Sequence, residues 1–86
     1  MSTVPSKRPD DLLPGLAEIV HLVTGRDAAE VRQEFLFVED LRIDSLAMVE
    51  ILEGTAKHFS VRIDDEDAKA FVRVGDLTTY VAERLG

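Results

Sequence analysis

The 86-residue sequence has no cysteine, no tryptophan, a single tyrosine and only two methionines. Without cysteine there is no disulfide framework and no thiolate metal site, so the fold must rest on packing alone. A chain of this length makes one domain with a small core, to which every helix has to contribute an apolar face. Positive charge is also in short supply. Ten Lys and Arg stand against seventeen Asp and Glu, for a formal net charge of −7. Such a field repels nucleic acid and anionic membranes and steers basic protein surfaces inward. No basic patch interleaves with aromatics, which again disfavours nucleic acid. No apolar run approaches membrane-spanning length, and no hydrophobic signal segment opens the chain. Together these predict a cytoplasmic protein with no membrane insertion.

Gly15, Gly25, Gly54, Gly75 and Gly86 are scattered, so there is no glycine-rich phosphate loop. Asp64, Asp65, Glu66 and Asp67 lack the alternation, central glycine and terminal glutamate of a calcium loop, and helix capping accounts for them more simply. No metal site is expected.

What is present is helical periodicity. Residues 1–9 show none and read as a flexible leader, leaving 10–86 as the domain. From Asp10 or Asp11, Leu12, Leu13, Leu16, Ile19, Val20 and Val23 recur at three- and four-residue steps until Gly25 stops the helix. Pro14 is tolerable only in or near its first turn. The connection from Arg26 to Ile43 is long but carries Val31, Phe35, Leu36, Phe37, Val38, Leu41 and Ile43, which should pin it across the bundle. A second helix runs from Ser45 to Phe59, with Met48, Ile51, Leu52, Thr55 and Phe59 on its core face. Leu46 falls on the opposite side, among Glu50, Glu53 and Lys57, with Val49 at its shoulder. Gly54 costs this helix about 1 kcal/mol relative to alanine unless something approaches closely. After the short alternating Val61-Arg62-Ile63, Asp64 is placed to cap a brief helix over Asp65 to Ala70, and Phe71 and Val72 anchor the following turn. Val74, Leu77, Tyr80, Val81 and Leu85 are the inward face of a last helix over 74–85. The fold class is all-α: a small four-helix bundle with a short third member.

The stretch that organises the chain is Glu39-Asp40-Leu41-Arg42-Ile43-Asp44-Ser45-Leu46. Asp44 suits an N-cap, which puts Ser45 at the first helical position with its hydroxyl outward. A nucleophilic serine needs a positioned base. The only histidines are His21, on the polar side of the first helix, and His58, near the end of the second, and neither sits beside Ser45. The serine therefore reads as a place of attachment, and the chain as no enzyme.

Asp44-Ser45-Leu46 at the start of the second helix of an acidic bundle, behind a long pinned loop, resembles the acyl carrier proteins. The similarity runs from Leu12 to Leu85. It is carried by Phe37-Val38-Glu39-Asp40-Leu41, Ile43-Asp44-Ser45-Leu46, Met48-Val49-Glu50-Ile51, Val61-Arg62-Ile63, Asp65-Glu66-Asp67 and Val74-Gly75-Asp76. Gly15-Leu16-Ala17-Glu18-Ile19-Val20 and Val23-Thr24-Gly25 resemble the actinobacterial branch, which includes carriers for mycolic acid precursors. The resemblance implies a covalent 4′-phosphopantetheine on Ser45, with Asp44 beside it, whose thiol holds acyl groups as thioesters. The absence of cysteine fits a thiol supplied from outside the chain. It further implies a monomer whose partners are a phosphopantetheinyl transferase, an acyltransferase, a ketosynthase and other acyl-processing enzymes of a type II fatty acid synthase. Those partners would grip Asp40, Leu46, Val49, Glu50 and Glu53. With the apolar face, it implies an acyl-chain pocket at Leu52, Phe59, Ile63, Ala68 and Phe71. Arg42, Ala47, Glu53, Ala56, Lys57, Asp64 and Arg73 depart from the family pattern, and the long C-terminal extension of mycolate-type members has no counterpart, which keeps other pathways open. The alternatives are a carrier of polyketide, aryl or aminoacyl groups, or an unmodified helical interaction module that has kept the fold and lost the arm.

Overall fold

A computed structural model describes residues 8–85. Helix α1 spans Pro9–Thr24, α2 spans Ser45–Phe59, α3 spans Asp65–Ala68 and α4 spans Val74–Leu85, with one 3-10 turn at Ala28–Glu30. The expected all-α bundle is therefore what forms. Pro9 opens α1 one residue earlier than the periodicity suggests, because proline at the first position is already fixed at a helical φ and lacks only an N–H that would be unpaired there. The rest of the expected leader, residues 1–7, lies outside the described residues. Pro14 is consequently in the second turn and not the first. It is exposed, and the carbonyl it leaves without an intrahelical partner belongs to Asp10, itself exposed to water.

Leu12, Leu16, Ile19 and Val20 of α1 pack with Ile51 of α2 and with Val74, Leu77 and Val81 of α4. Gly54 now has its reason. A Cβ built there would lie 3.1 Å from Ile19 Cγ2, so glycine lets α1 and α2 approach closely. Two buried threonines cost little because their hydroxyls are bonded. Thr55 donates to the Ile51 carbonyl at 2.7 Å, and Thr78 donates to Gln33 Oε1 at 2.6 Å. Gln33 Nε2 in turn donates to Asp10 at 3.1 Å, so one loop side chain ties the connection to both α1 and α4.

The long connection is pinned as its composition predicts, through buried Val31, Phe37, Leu41 and Ile43. Its backbone also docks on the turn before α4. Phe37 N–H donates to the Val72 carbonyl at 3.0 Å and Val74 N–H donates to that of Phe35 at 2.9 Å, around an isolated bridge between Leu36 and Arg73.

Four expectations are corrected. Val38 and Val72 do not anchor; both are exposed, because the Phe37–Val72 pairing turns Phe37 inward and leaves its neighbours outside. Asp64 has the backbone of an N-cap but makes no side-chain capping bond, and instead meets Arg62 at 3.5 Å. α3 closes at Ala68, two residues early.

Candidate functional site

The segment that delivers Ser45 is held by its own side chains. The Asp40 carboxylate accepts the Leu36 N–H at 2.8 Å, while the Asp40 and Leu41 amides donate back to the Leu36 carbonyl at 3.0 and 3.1 Å. Ile43 N–H reaches the Phe37 carbonyl at 3.0 Å, and Arg26 Nε reaches that of Leu41 at 3.0 Å. The turn so formed requires Arg42 to sit at a φ of +57°. For a non-glycine residue that region costs about 1–2 kcal/mol. Arg42 is exposed, so the strain is not offset by burial. Glycine removes it at an entropic cost of about 0.5–1 kcal/mol. Arg42→Gly should therefore stabilise the fold by about 0.5–1 kcal/mol in chemical denaturation; a loss of stability would mean that the turn is not strained.

Asp44 then caps α2. Its Oδ1 accepts the Ala47 N–H at 2.8 Å, in the extended conformation an N-cap requires. Ser45 is the first residue of the helix and is exposed. It lies at the positive end of a 15-residue helix, where an anionic substituent is favoured.

Neither histidine stands beside it. His58 is thirteen residues further along α2, about 20 Å at the rise of a helix, and its ring packs edge-on against Phe59. His21 bonds the Arg26 carbonyl at 2.7 Å. Neither ring lines a cavity with Ser45. Among the described residues no group of three or more His, Asp or Glu side chains could hold a metal ion.

Beside Ser45 opens a cavity of about 300 Å³, with the buried Phe37 and Ile43 as its floor and Met48, Val49, Leu52, Ala68 and Phe71 around it. Asp44, Asp65 and Lys69 are its charged rim. A second hollow, about 190 Å³, continues along α2 past Leu52 and Ala56 to Ile63 and Ala68. The expected pocket residues Leu52, Ile63, Ala68 and Phe71 are thus gathered on one side of α2. Phe59 lines neither hollow and lies instead against α1, where a Cβ at Gly15 would be 3.0 Å from its Cζ. Phe37, Val38, Ile43 and Met48 line the space without having been singled out for it; their apolar character marked them only as packing residues. Lys69 had no signal at all, since its relation to Ser45 is purely spatial.

Leu46 and Val49 are exposed at 71% and 51%, and Glu50 and Glu53 complete the same helix face. Asp40 is exposed as well, although its carboxylate is engaged by the Leu36 amide. An exposed hydroxyl at a helix N-terminus, beside a mainly apolar hollow, is compatible with a phosphodiester-linked arm carrying an apolar load.

Comparison with known proteins agrees with this geometry. The family model described as phosphopantetheine attachment site matches residues 14–81. The meromycolate extension acyl carrier protein of Mycobacterium leprae is 44% identical over 72 residues, which are 84% of this chain and 63% of that protein. The chain thus spans less than two thirds of that relative's length. The acyl carrier protein of Acidothermus cellulolyticus is 41% identical over 73 residues, 85% of this chain and 87% of its own. A solved structure of the acyl carrier protein from Enterococcus faecalis superposes with a TM-score of 0.71 at 25% identity, covering 88% of this chain and 96% of that one.

Proposed function

This chain belongs to the phosphopantetheine-attachment family, and from that premise we propose that it is an acyl carrier protein of fatty acid synthesis with Ser45 as its attachment residue. The observation that carries the reading is the exposed Ser45 at the first position of α2, opening onto the mainly apolar cavity. The domain proposed for this role is residues 10–86. When bound, 4′-phosphopantetheine supplies a terminal thiol that holds acyl groups as thioesters. The chain's own work is to present that arm and shelter its load. Asp44 fixes the helix start, Ser45 offers the linkage, and Leu52, Ile63, Ala68 and Phe71 receive the apolar chain. Tethering raises the effective concentration of the acyl group at each enzyme visited, so a carrier needs no catalytic residue of its own. The relatives named as acyl carrier proteins of meromycolate extension support an acyl cargo.

Leu46, Val49, Glu50 and Glu53, flanked by Asp40, form the surface proposed for the transferase, acyltransferase, ketosynthase and related enzymes. An apolar knob in an acidic rim suits brief docking on basic surfaces, since steering raises the encounter rate without a large buried area. Leu46→Ala should slow loading by a phosphopantetheinyl transferase about tenfold in kcat/KM, the effect of truncating one interface anchor. The thermal midpoint should stay within about 2 °C of the parent, because the side chain is already in water. A variant that unfolds would mean Leu46 is a core residue.

The reading as a whole is tested by intact mass after incubation with coenzyme A, magnesium and a broad-specificity transferase. A gain of one phosphopantetheine unit is expected. No gain in a protein whose helical content is intact would favour the interaction-module alternative.

A further inference from the structure

Helix α3 has no buried residue and no side-chain cap, and a single turn has little stability of its own. Ile63 and Phe71, on either side of it, pack against the core. α3 itself is joined to α4 by a polar cluster whose members do not line the cavity, and the Asp64 amide before it lies 3.5 Å from the Tyr80 hydroxyl. The Tyr80 hydroxyl donates to Asp67 Oδ2 at 2.9 Å. Arg84 Nη2 reaches the same carboxylate oxygen at 3.3 Å and the Tyr80 oxygen at 2.6 Å. The Arg84 guanidinium also lies 4.6 Å from the centroid of the Tyr80 ring, which meets Phe71 edge-on at 5.1 Å. The remaining ion pairs of this stretch do not reach α4. Lys69–Glu66 and Arg62–Asp64 each join neighbours in the chain and are largely exposed.

The cavity-facing side of the same segment is formed by Asp65 and Ala68, with Phe71 following. Across from them stand Val49 and Leu52 of α2, and the floor is the buried pair Phe37 and Ile43. The floor cannot recede without breaking the core. Of the walls of this groove, α3 alone has no buried residue, so the space for a long apolar chain is set by how firmly α3 is held.

We propose that Asp67, Tyr80 and Arg84 form a latch that fixes α3 over the groove leading from Ser45 and thereby limits the length of acyl chain the carrier shelters. The chain-length part rests on the attachment reading above; the latch itself does not. Each further methylene that finds cover stabilises the folded protein, until the next one would have to part α3 from α4. The contacts are few and half-exposed, so they yield to a chain long enough to demand it.

Tyr80→Phe keeps the ring against Phe71 and removes the hydroxyl, while Arg84→Gln removes the cation. In the unloaded protein, amide hydrogen exchange over residues 65–71 should quicken about tenfold in both variants, with the core amides of α1 and α2 unchanged. The phosphopantetheinylated protein is then loaded with saturated acyl chains of increasing length and its thermal midpoint followed. The parent's midpoint should rise with length and level off, and in both variants the levelling should come at a longer chain. Unchanged exchange, acceleration spread evenly over the whole protein in both variants, or a plateau at the same length in all three proteins would overturn the proposal. A merely structural role for the cluster lowers every midpoint equally and leaves the plateau where it was. Should the protein take up no phosphopantetheine, the chain-length limit falls with the attachment reading, and the exchange result still decides the latch.

Discussion

Ser45→Ala is expected to gain no mass from coenzyme A and transferase, and to lose every carrier reaction, while melting within about 1 °C of the parent. The separation of the two effects is the point of the experiment. An exposed hydroxyl at the first helical position contributes little to the fold, because the N-cap bond is made by Asp44 and not by Ser45. Removing it deletes one oxygen from the surface and the sole proposed linkage from the function. Ser60 serves as the internal control. It too is an exposed serine at an end of α2, but at the C-terminal end, in the left-handed conformation at a φ of +56°. There the helix dipole disfavours an anionic phosphodiester that it favours at Ser45. Ser60→Ala should load like the parent. Mass gain in Ser45→Ala would move the linkage to another serine, and a large drop in its melting temperature would mean that the hydroxyl holds the turn together.

The start of α2 was legible because capping chemistry is local. An aspartate in extended backbone followed by helix-forming residues needs no tertiary context, so Asp44 and Ser45 could be placed within a residue. The exposure of Leu46 and Val49 followed from helical period alone, and so did the inward face of Ile51 and Thr55. The readings that failed depend on contacts far apart in the chain. Val72 reads as an anchor beside Phe71, yet pairing of its carbonyl with Phe37 fixes the strand-like register that turns it out. Asp64 does stand at the N-cap of α3, but its carboxylate meets Arg62 and bonds no amide of that helix, whereas at α4 the Asp76 Oδ2 accepts both the Val72 and Arg73 amides at 2.9 Å. Phe59 shares a helical face with Leu52, and only the closeness of α1 at Gly15 shows that it leaves the cavity for the other side. Gly54 was a puzzle within its own helix and ceases to be one against Ile19. The latch at Asp67, Tyr80 and Arg84 had no sequence signal, since its members come from two elements whose register is fixed only by packing.

Phe37→Ala is expected to cost about 3–5 kcal/mol, a large part of the 5–15 kcal/mol available to a small domain. Phe37 is 1% exposed and among the largest fully buried side chains. It does three things at once. Its ring floors the cavity beside Ser45, its amide pairs with Val72, and its carbonyl receives the Ile43 amide one residue before the cap of α2. Truncation leaves a void next to an existing hollow, where Met48 and Leu52 are free to sag inward, so the lower end of the range is the better estimate. Urea denaturation should show a lower midpoint with an unchanged slope, as for a two-state protein that has lost packing and not compactness. Phe37→Leu should recover at least half of the loss, because it refills most of the volume with an apolar side chain. A cost below about 1 kcal/mol would mean that the long connection is not packed into the core. Ser45 would then be delivered by a loose tether, and the fixed geometry on which both the pocket and the latch depend would have to be abandoned. The full cost, with the unchanged slope, would instead make the loop part of the same cooperative unit as the helices. On the proposed reading, a serine held by such a unit offers its linkage from one fixed place at the start of α2, so that docking on that helix sets where the arm begins.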